Sequence, residues 1–108
     1  MVKKRIPAKI KKVAKNYVER LVKEDNLKVN KIIIFGSHSK GATRKWSDID
    51  ICIISPRFED EFEALQFLWT RRNDEDVMAG LEPVGFSQKV FKEGSSLIRE
   101  IERTGVEI

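Results

Sequence analysis

The sequence predicts an α/β domain with a small mixed β-sheet and helices packed on it. Residues 7–25 carry apolar side chains at helical spacing, and two β-branched runs, 32–35 and 49–54, have the length and composition of buried strands. After Pro56, short helical patterns alternate with short strand patterns, which is typical of helices that cover a sheet.

The size of the chain fits one domain. Its 108 residues are 41% hydrophobic and 35% charged, which is a soluble globular composition. We assign residues 1–108 to a single domain, with residues 1–6 as a frayed basic terminus. The longest apolar run, 32–35, is far too short to cross a membrane, and no apolar signal segment follows the basic terminus. These features favour a cytoplasmic protein without a membrane partner.

The first helix is predicted over residues 7–25, because proline at position 7 suits a first helical turn. Its apolar face contains Ile10, Val13, Ala14, Tyr17, Val18, Leu21 and Val22. Asn26 and Asn30 interrupt this pattern before the first strand, 32–35.

The segment between the two strands is predicted to begin as a short helix that Ser37 caps and Gly41 ends. A loop, 42–47, then leads to the second strand, 49–54. After Pro56 ends that strand, an acidic segment suits the positive end of another helix. The apolar stripe of that helix is predicted to contain Phe58, Phe62, Leu65, Leu68 and Trp69.

Residues 73–76 are predicted either to extend the preceding helix or to turn out of it. After them, the chain is predicted to form a strand, a short helix, a longer helix and a short strand. Pro83 favours an edge position for its strand, because proline cannot donate to a ladder. Gly80 ends the preceding helix, and a strand is predicted over 81–86. Ser87 is predicted to cap a helical turn that runs through Phe91 and ends before Gly94. Ser95 or Ser96 then starts the last helix, Gly105 ends it, and a short strand is predicted over 106–108.

Two features between the strands point to phosphate chemistry. The turn Gly36-Ser37 presents backbone N–H groups and a hydroxyl to an anion, although alone it could be an ordinary strand-to-helix junction. Asp48 and Asp50 share one strand face and lie about 7 Å apart along the backbone. A carboxylate within an apolar strand, as at Asp50, costs several kcal/mol unless it is partnered. Mg²⁺, which takes one or two carboxylates plus substrate phosphates, links the two features.

The motif Gly36-Ser37, ten residues, then Asp48-Ile49-Asp50 resembles the signature of the DNA polymerase β-like nucleotidyltransferase superfamily. Within it, the chain is most similar to the minimal nucleotidyltransferases, in Gly-Ser-x-x-Lys-Gly at 36–41 and Ser-Asp-Ile-Asp-Ile at 47–51. A softer likeness in residues 82–105 extends the resemblance over most of the chain after residue 30.

The resemblance implies a single nucleotidyltransferase-type domain that transfers a nucleoside monophosphate, usually AMP from ATP, to an acceptor hydroxyl and releases pyrophosphate. It implies two Mg²⁺ ions held by Asp48, Asp50 and a third acid. The residues expected to hold the triphosphate are Gly36, Ser37, Lys40 and Ser47. The family commonly has arginine where Lys40 stands, and lysine is a point charge rather than a bidentate fork.

Glu82 is the predicted third acid, with Asp74 and Asp76 as the alternatives. It departs from the family pattern, which usually has aspartate there, and the proline that follows it disturbs the strand. A solvated turn acid without catalytic function is the plain alternative for this glutamate.

The net charge of +4 is unevenly distributed, since residues 1–15 hold seven Lys or Arg and no acid. We interpret this run as a solvated helix face rather than a nucleic-acid site, because no aromatic residues interleave with it. Arg44 and Lys45 are loop cations that could contact triphosphate or acceptor. Cys52 is expected to be a small buried hydrophobe and His38 an exposed loop residue, so that a metal site needs oxygen ligands.

Two functions are consistent with these features. The first is an adenylyltransferase whose acceptor is a protein or, less favoured, a nucleic acid. The resemblance implies an antitoxin that adds AMP to a tyrosine of an all-helical HEPN ribonuclease toxin. No HEPN-like half exists in this chain, so this partner would act in trans, and either a homo- or a hetero-oligomer is possible. The second function is a binding module that masks such a partner and keeps the acids as a vestigial nucleotide site.

Overall fold

A computed structural model of the chain describes residues 6–36 and 48–108. The elements within these residues are α1 (Ala8–Asp25), β1 (Lys31–Phe35), β2 (Ile49–Ile54), α2 (Glu61–Thr70), α3 (Asp74–Met78), β3 (Leu81–Phe86), α4 (Gln88–Glu93), α5 (Ser96–Thr104) and β4 (Val106–Glu107). The strands form one sheet in the order β3-β2-β1-β4. β1 is antiparallel to β2 and β4, whereas β2 and β3 are parallel. The predicted α/β domain with a small mixed sheet is therefore confirmed.

Side chains that alternate along the strands sort the core into two clusters on opposite faces of the sheet. The first cluster joins the sheet to α1 and α2, and its members include Tyr17, Leu21, Ile34, Ile51, Ile53, Phe67, Leu68 and Leu81. The second joins the sheet to α5 and contains Phe35, Cys52, Ile54, Phe86, Ile98 and Ile101. The helices that were predicted to pack on the sheet therefore cover both of its faces.

α1 follows its prediction closely. Pro7 immediately precedes the helix, and the buried side chains Ala14, Tyr17, Val18 and Leu21 belong to the predicted apolar face. Asn26 ends the helix in the left-handed conformation, with φ 53, and its backbone N–H donates to Leu21 O. Ile6, assigned from the sequence to the basic terminus, is buried in the first cluster.

The predicted apolar stripe of α2 is partly wrong. The helix buries Ala64, Phe67 and Leu68, whereas Phe62 is 75% exposed. Asp60 caps the helix by accepting from the Glu63 N–H, so the helix begins at Glu61, and the positions of Ala64, Phe67 and Leu68 define its buried face. At about 3.6 residues per turn, Phe62 then points away from the sheet, opposite to the buried face. The apolar pattern alone therefore assigned Phe62, rather than Phe67, to the buried face of α2.

Residues 73–76 turn out of α2 and begin α3 as a separate helix. The Asn73 side chain accepts from the Asp76 N–H at 2.8 Å, while the Asp76 carboxylate accepts from the Asn73 N–H at 2.9 Å. Asp76 is buried and also forms an ion pair with Arg20 of α1. Burial and the negative charge of Asp76 raise the pKa of the nearby Tyr17, whose hydroxyl donates to Leu68 O. Asp76 therefore ties α3 to α1 and to the core.

β3 lies at the edge of the sheet, as Pro83 predicted. The Ile49 N–H donates to Gly80 O at 2.8 Å and the Ser55 N–H to Phe86 O at 3.0 Å, so even-numbered positions of β3 face β2. Pro83 is at an odd-numbered position, so its backbone groups face away from β2, and the N–H that proline lacks would also point away from β2. The proline consequently removes no ladder bond with β2.

The predicted caps in the last third of the chain are confirmed. Ser87 accepts from the Val90 N–H at 3.2 Å at the start of α4, and Ser95 accepts from the Ile98 N–H at 3.1 Å at the start of α5. β4 pairs with β1, which confirms the terminal strand.

Some predictions fall outside the described residues. These are the short helix after Ser37, the loop 42–47 and the side chains of His38, Arg44 and Lys45. Within the described residues, none of the helices has the length and apolar character that a membrane crossing requires.

Replacing Asp76 by alanine should destabilise the fold by about 2 to 3 kcal/mol, because it removes a cap and leaves Arg20 without its buried partner. Asp74→Ala is the matched control, since Asp74 lies exposed in the same helical turn. Its free energy of unfolding should stay within about 0.5 kcal/mol of wild type. Urea unfolding followed by circular dichroism measures both. Equal stabilities of the two variants would contradict this role for Asp76.

Candidate active site

Two neighbouring strands bring the predicted carboxylates together. Asp50 of β2 is in register with Glu82 of β3 on one side and with Phe35 of β1 on the other. Paired residues on adjacent strands project to the same face, about 4.8 Å apart along the backbone. Asp48 precedes β2 and shares its face with Asp50. All three acids thus meet at one end of the β2–β3 pair.

Asp48 and Asp50 are close enough to Glu82 to affect its charge. Partial burial raises the pKa of Glu82, and the charge of Asp48, a side-chain hydrogen bond to Asp48 and the charge of Asp50 raise it further. The Arg72 guanidinium opposes this shift. The cluster is therefore a concentration of negative charge that a cation would stabilise.

Carboxylate oxygens are the donors that Mg²⁺ prefers, so the chemistry of this cluster fits the predicted metal. Within the described residues, however, no three His, Cys, Asp or Glu side chains are arranged around one point as metal ligands. Mg²⁺ commonly takes only one or two carboxylates and completes its shell with phosphate and water oxygens, so a full three-ligand set is not required.

Gly36 brings the predicted phosphate turn against the acids. Its φ is +79°, a conformation that side chains disfavour, and a Cβ at this position would overlap Asp50 Oδ2 and lie 3.3 Å from Asp50 Cγ. Only glycine allows the backbone to approach the carboxylate this closely. The other predicted triphosphate ligands, Ser37, Lys40 and Ser47, lie outside the described residues.

A cleft of about 320 Å³ opens beside the acids. Its lining residues come from all the surrounding elements and are Phe35, Gly36, Asp50, Trp69, Glu82, Pro83, Val84, Leu97 and Glu100. The cleft thus combines an acidic side with an apolar side, and its volume is at the lower end of the range for small-molecule sites, about 300 to 1,000 Å³.

The structure separates Glu82 from the two alternative acids. Asp74 is exposed in the first turn of α3, and Asp76 is buried against Arg20. Neither lines the cleft, whereas Glu82 lies next to Asp48 and Asp50.

Sequence reasoning missed three residues of this region, namely Trp69, Arg72 and Glu100. Trp69 was assigned to the core, but it is 39% exposed and lines the cleft. Neither the sequence pattern around Arg72 nor that of α5 around Glu100 pointed to this region. A tryptophan at the end of an apolar stripe, followed by arginines, was the only signal available.

Cys52 does not contribute to the site. It is fully buried in the second cluster, two residues beyond Asp50 on the same strand face. Burial raises the pKa of its thiol to about 12, so the thiol is protonated at neutral pH. The expectation of a small buried hydrophobe is confirmed.

Solved structures share the fold. A candidate nucleotidyltransferase from Sulfolobus solfataricus is 17% identical, with a TM-score of 0.64 over 92% of this chain and 78% of that one. A toxin-antitoxin with AMP-PNP is 22% identical, with a TM-score of 0.53 over 85% and 69%. A mutant of the toxin-antitoxin MntA-HpeT is 17% identical, with the same TM-score and coverage.

Among curated proteins, no significant match to the chain was found. A family model described as nucleotidyltransferase domain matches residues 11–104. This match spans every strand except the terminal β4, and it includes the turn at Gly36 and the acids Asp48, Asp50 and Glu82. The chain therefore belongs to the nucleotidyltransferase domain family.

Proposed function

We propose that the protein is a metal-dependent nucleotidyltransferase that moves AMP from ATP to a hydroxyl of another macromolecule. The observation that carries this proposal is the convergence of Asp48, Asp50 and Glu82 beside Gly36. Family membership supports nucleotidyl transfer, and the resemblance of the motif to minimal nucleotidyltransferases supports ATP as the donor.

Each group has a role in this reaction. The acceptor oxygen forms a bond to the α-phosphorus, the bond from that phosphorus to the bridging oxygen breaks, and pyrophosphate leaves. Glu82 accepts the hydroxyl proton, and the backbone at Gly36 approaches the phosphates. Asp48, Asp50 and Glu82 would hold two Mg²⁺ ions. Bound magnesium neutralises charge on the phosphates and lowers the pKa of the attacking hydroxyl.

The acceptor in this proposal is a protein rather than a nucleic acid. Asp50, Glu82 and Glu100 make one side of the cleft acidic, which repels a polyanionic backbone. The fold shared with toxin-antitoxin structures, one of them with AMP-PNP, supports an antitoxin that acts on a partner in trans. We propose that this partner is of HEPN type and that the two proteins form a cytoplasmic hetero-oligomer.

One observation favours a second candidate function. Asp48 and Glu82 contact each other, and the described residues hold no three-ligand group arranged for a metal. A non-catalytic binding module, which neutralises a helical partner by complex formation, is consistent with acids in this arrangement.

Asp48→Ala and Asp50→Ala should each reduce transfer at least about 100-fold, because each removes a carboxylate that neutralises the phosphates through the metal. The assay incubates the protein with α-labelled ATP, Mg²⁺ and the product of the adjacent gene. Asp74→Asn, an exposed acid outside the cleft, is the control and should label the partner normally. Label that persists in both alanine variants would refute the catalytic assignment. A stoichiometric complex without label would favour the binding module.

Glu82→Gln should abolish transfer while Mg²⁺-dependent binding of a non-hydrolysable ATP analogue stays within about threefold of wild type, because the amide keeps the shape but cannot take the proton. Glu102→Gln, an exposed residue of α5, is the matched control. Calorimetry measures the binding and the labelling assay measures the transfer. Near-normal transfer by Glu82→Gln would move the third acid elsewhere.

Gly36→Ala should weaken binding of the ATP analogue by about tenfold or more, because its Cβ displaces the Asp50 carboxylate. Gly94→Ala isolates this effect. Gly94 also has a positive φ, of +82°, but no atom lies within 4 Å of its added Cβ. Both variants should lose about 1 to 3 kcal/mol of stability, because alanine is strained at a positive φ, and only the first should lose nucleotide binding. Equal binding of the ATP analogue by the two variants would show that the close approach of Gly36 to Asp50 is not required for nucleotide binding.

A further inference from the structure

Two side chains, one in the last turn of α2 and one just after this helix, bind the outer edge of β3 on either side of Glu82. The Trp69 indole N–H donates to Pro83 O at 2.9 Å, and Arg72 Nη1 donates to Leu81 O at 3.0 Å. Pro83 and Leu81 are the residues directly after and before Glu82. Both carbonyls face away from β2, because the even positions of β3 make the ladder. The two bonds therefore hold the side of the strand that has no strand partner.

The same two residues also hold each other. The Arg72 guanidinium lies over the Trp69 ring, with Cζ 4.0 Å from the ring centroid, and Arg72 Nε donates to Trp69 O at 3.3 Å. A tryptophan that is 39% exposed is thereby fixed at both its ring face and its polar edge. Trp69 and Arg72 form one unit, which we name the β3 clamp.

Glu82 needs such a restraint. It lies on an edge strand that bonds to the sheet on one side only, and Pro83 contributes no N–H on the other. Its register with Asp50 therefore depends on the bonds of β3 to β2 and on the groups that hold the outer side of the strand.

We propose that Trp69 and Arg72 are positioning residues that keep Glu82 in register with Asp50. The effect of this positioning on catalysis rests on the proposed transferase function, in which Glu82 accepts the proton of the acceptor hydroxyl. Displacement of such a group by about 1 Å can cost up to about 100-fold in rate. The clamp is a structural arrangement, however, and it is measurable without any transfer.

Three variants test the proposal. Trp69→Phe keeps an aromatic ring in the cleft but removes the donor to Pro83 O, and Arg72→Met keeps the stem but removes the donor to Leu81 O. Arg71→Met is the matched control, because Arg71 stacks on Phe67 and pairs with Asp25, and its side-chain hydrogen bonds go to Asp25, Phe67 and Thr70 rather than to β3.

Hydrogen exchange on the full chain, without nucleotide or partner, provides the first readout. Protection of the Glu82 and Val84 amides, which face β2, should fall at least about fivefold in Trp69→Phe and Arg72→Met but not in Arg71→Met. Unchanged protection in both clamp variants would overturn the proposal, whether or not the protein transfers AMP.

Transfer kinetics provide the second readout. The clamp variants should lose about 10- to 100-fold in kcat with KM for ATP changed less than about twofold, because the phosphate turn lies at Gly36 and not on β3. Arg72→Lys, which keeps one donor and the charge, should recover part of the loss. A raised KM with normal kcat and normal exchange would instead make Trp69 a substrate contact and refute positioning. If the wild-type protein transfers no label, the proposed function is refuted. The hydrogen-exchange result then still shows whether Trp69 and Arg72 hold β3 in register.

Discussion

The parallel register of β2 and β3 is the constraint on which the rest of the molecule depends. It sets Asp50 beside Glu82, and it requires a crossover, which residues 55–80 supply through α2 and α3. Two like charges on adjacent strands repel each other, and a nearby cation offsets this repulsion. Arg72, which lies between α2 and α3 within the crossover, acts to lower the pKa of Glu82, and the predicted metal would offset the repulsion within the site. The connection that makes the strands parallel thus also stabilises the acids that they present.

The apolar pattern fixes this register. Ile51 and Ile53 of β2 belong to the first cluster, whereas Cys52 and Ile54 belong to the second, and Asp50 lies on the same face as Cys52. A slip of one residue would turn every side chain of β2 over and drive Asp50 into the first cluster. The cost of burying an unpaired carboxylate there opposes the slip. The apolar core therefore determines the position of Asp50, although the core residues themselves do not contact substrate.

Local patterns predicted most of the fold and two of the acids. The second strand was predicted at 49–54, as observed, and alternation along it placed Asp48 and Asp50 on one face. Pro83 predicted an edge strand because its chemistry is local to the residue. The contacts of Trp69 and Arg72 could not be predicted, because their acceptors are backbone carbonyls on a strand reached only after an intervening helix. Phe62 was misplaced for a related reason, since which face of α2 is buried depends on tertiary packing rather than on composition.

Both edges of the sheet limit how a protein partner could approach. On β3, the outward carbonyls of Leu81 and Pro83 already accept from α2, and Pro83 offers no N–H. On the opposite edge, β4 has only two residues, so in the described part of the chain neither edge is a template for an added strand. An acceptor of the proposed kind would therefore reach the acids through the cleft between β3 and α5. Because the wall of this cleft includes both Trp69 and Glu82, the α2 segment that holds β3 in register would also shape the acceptor's path to the third carboxylate.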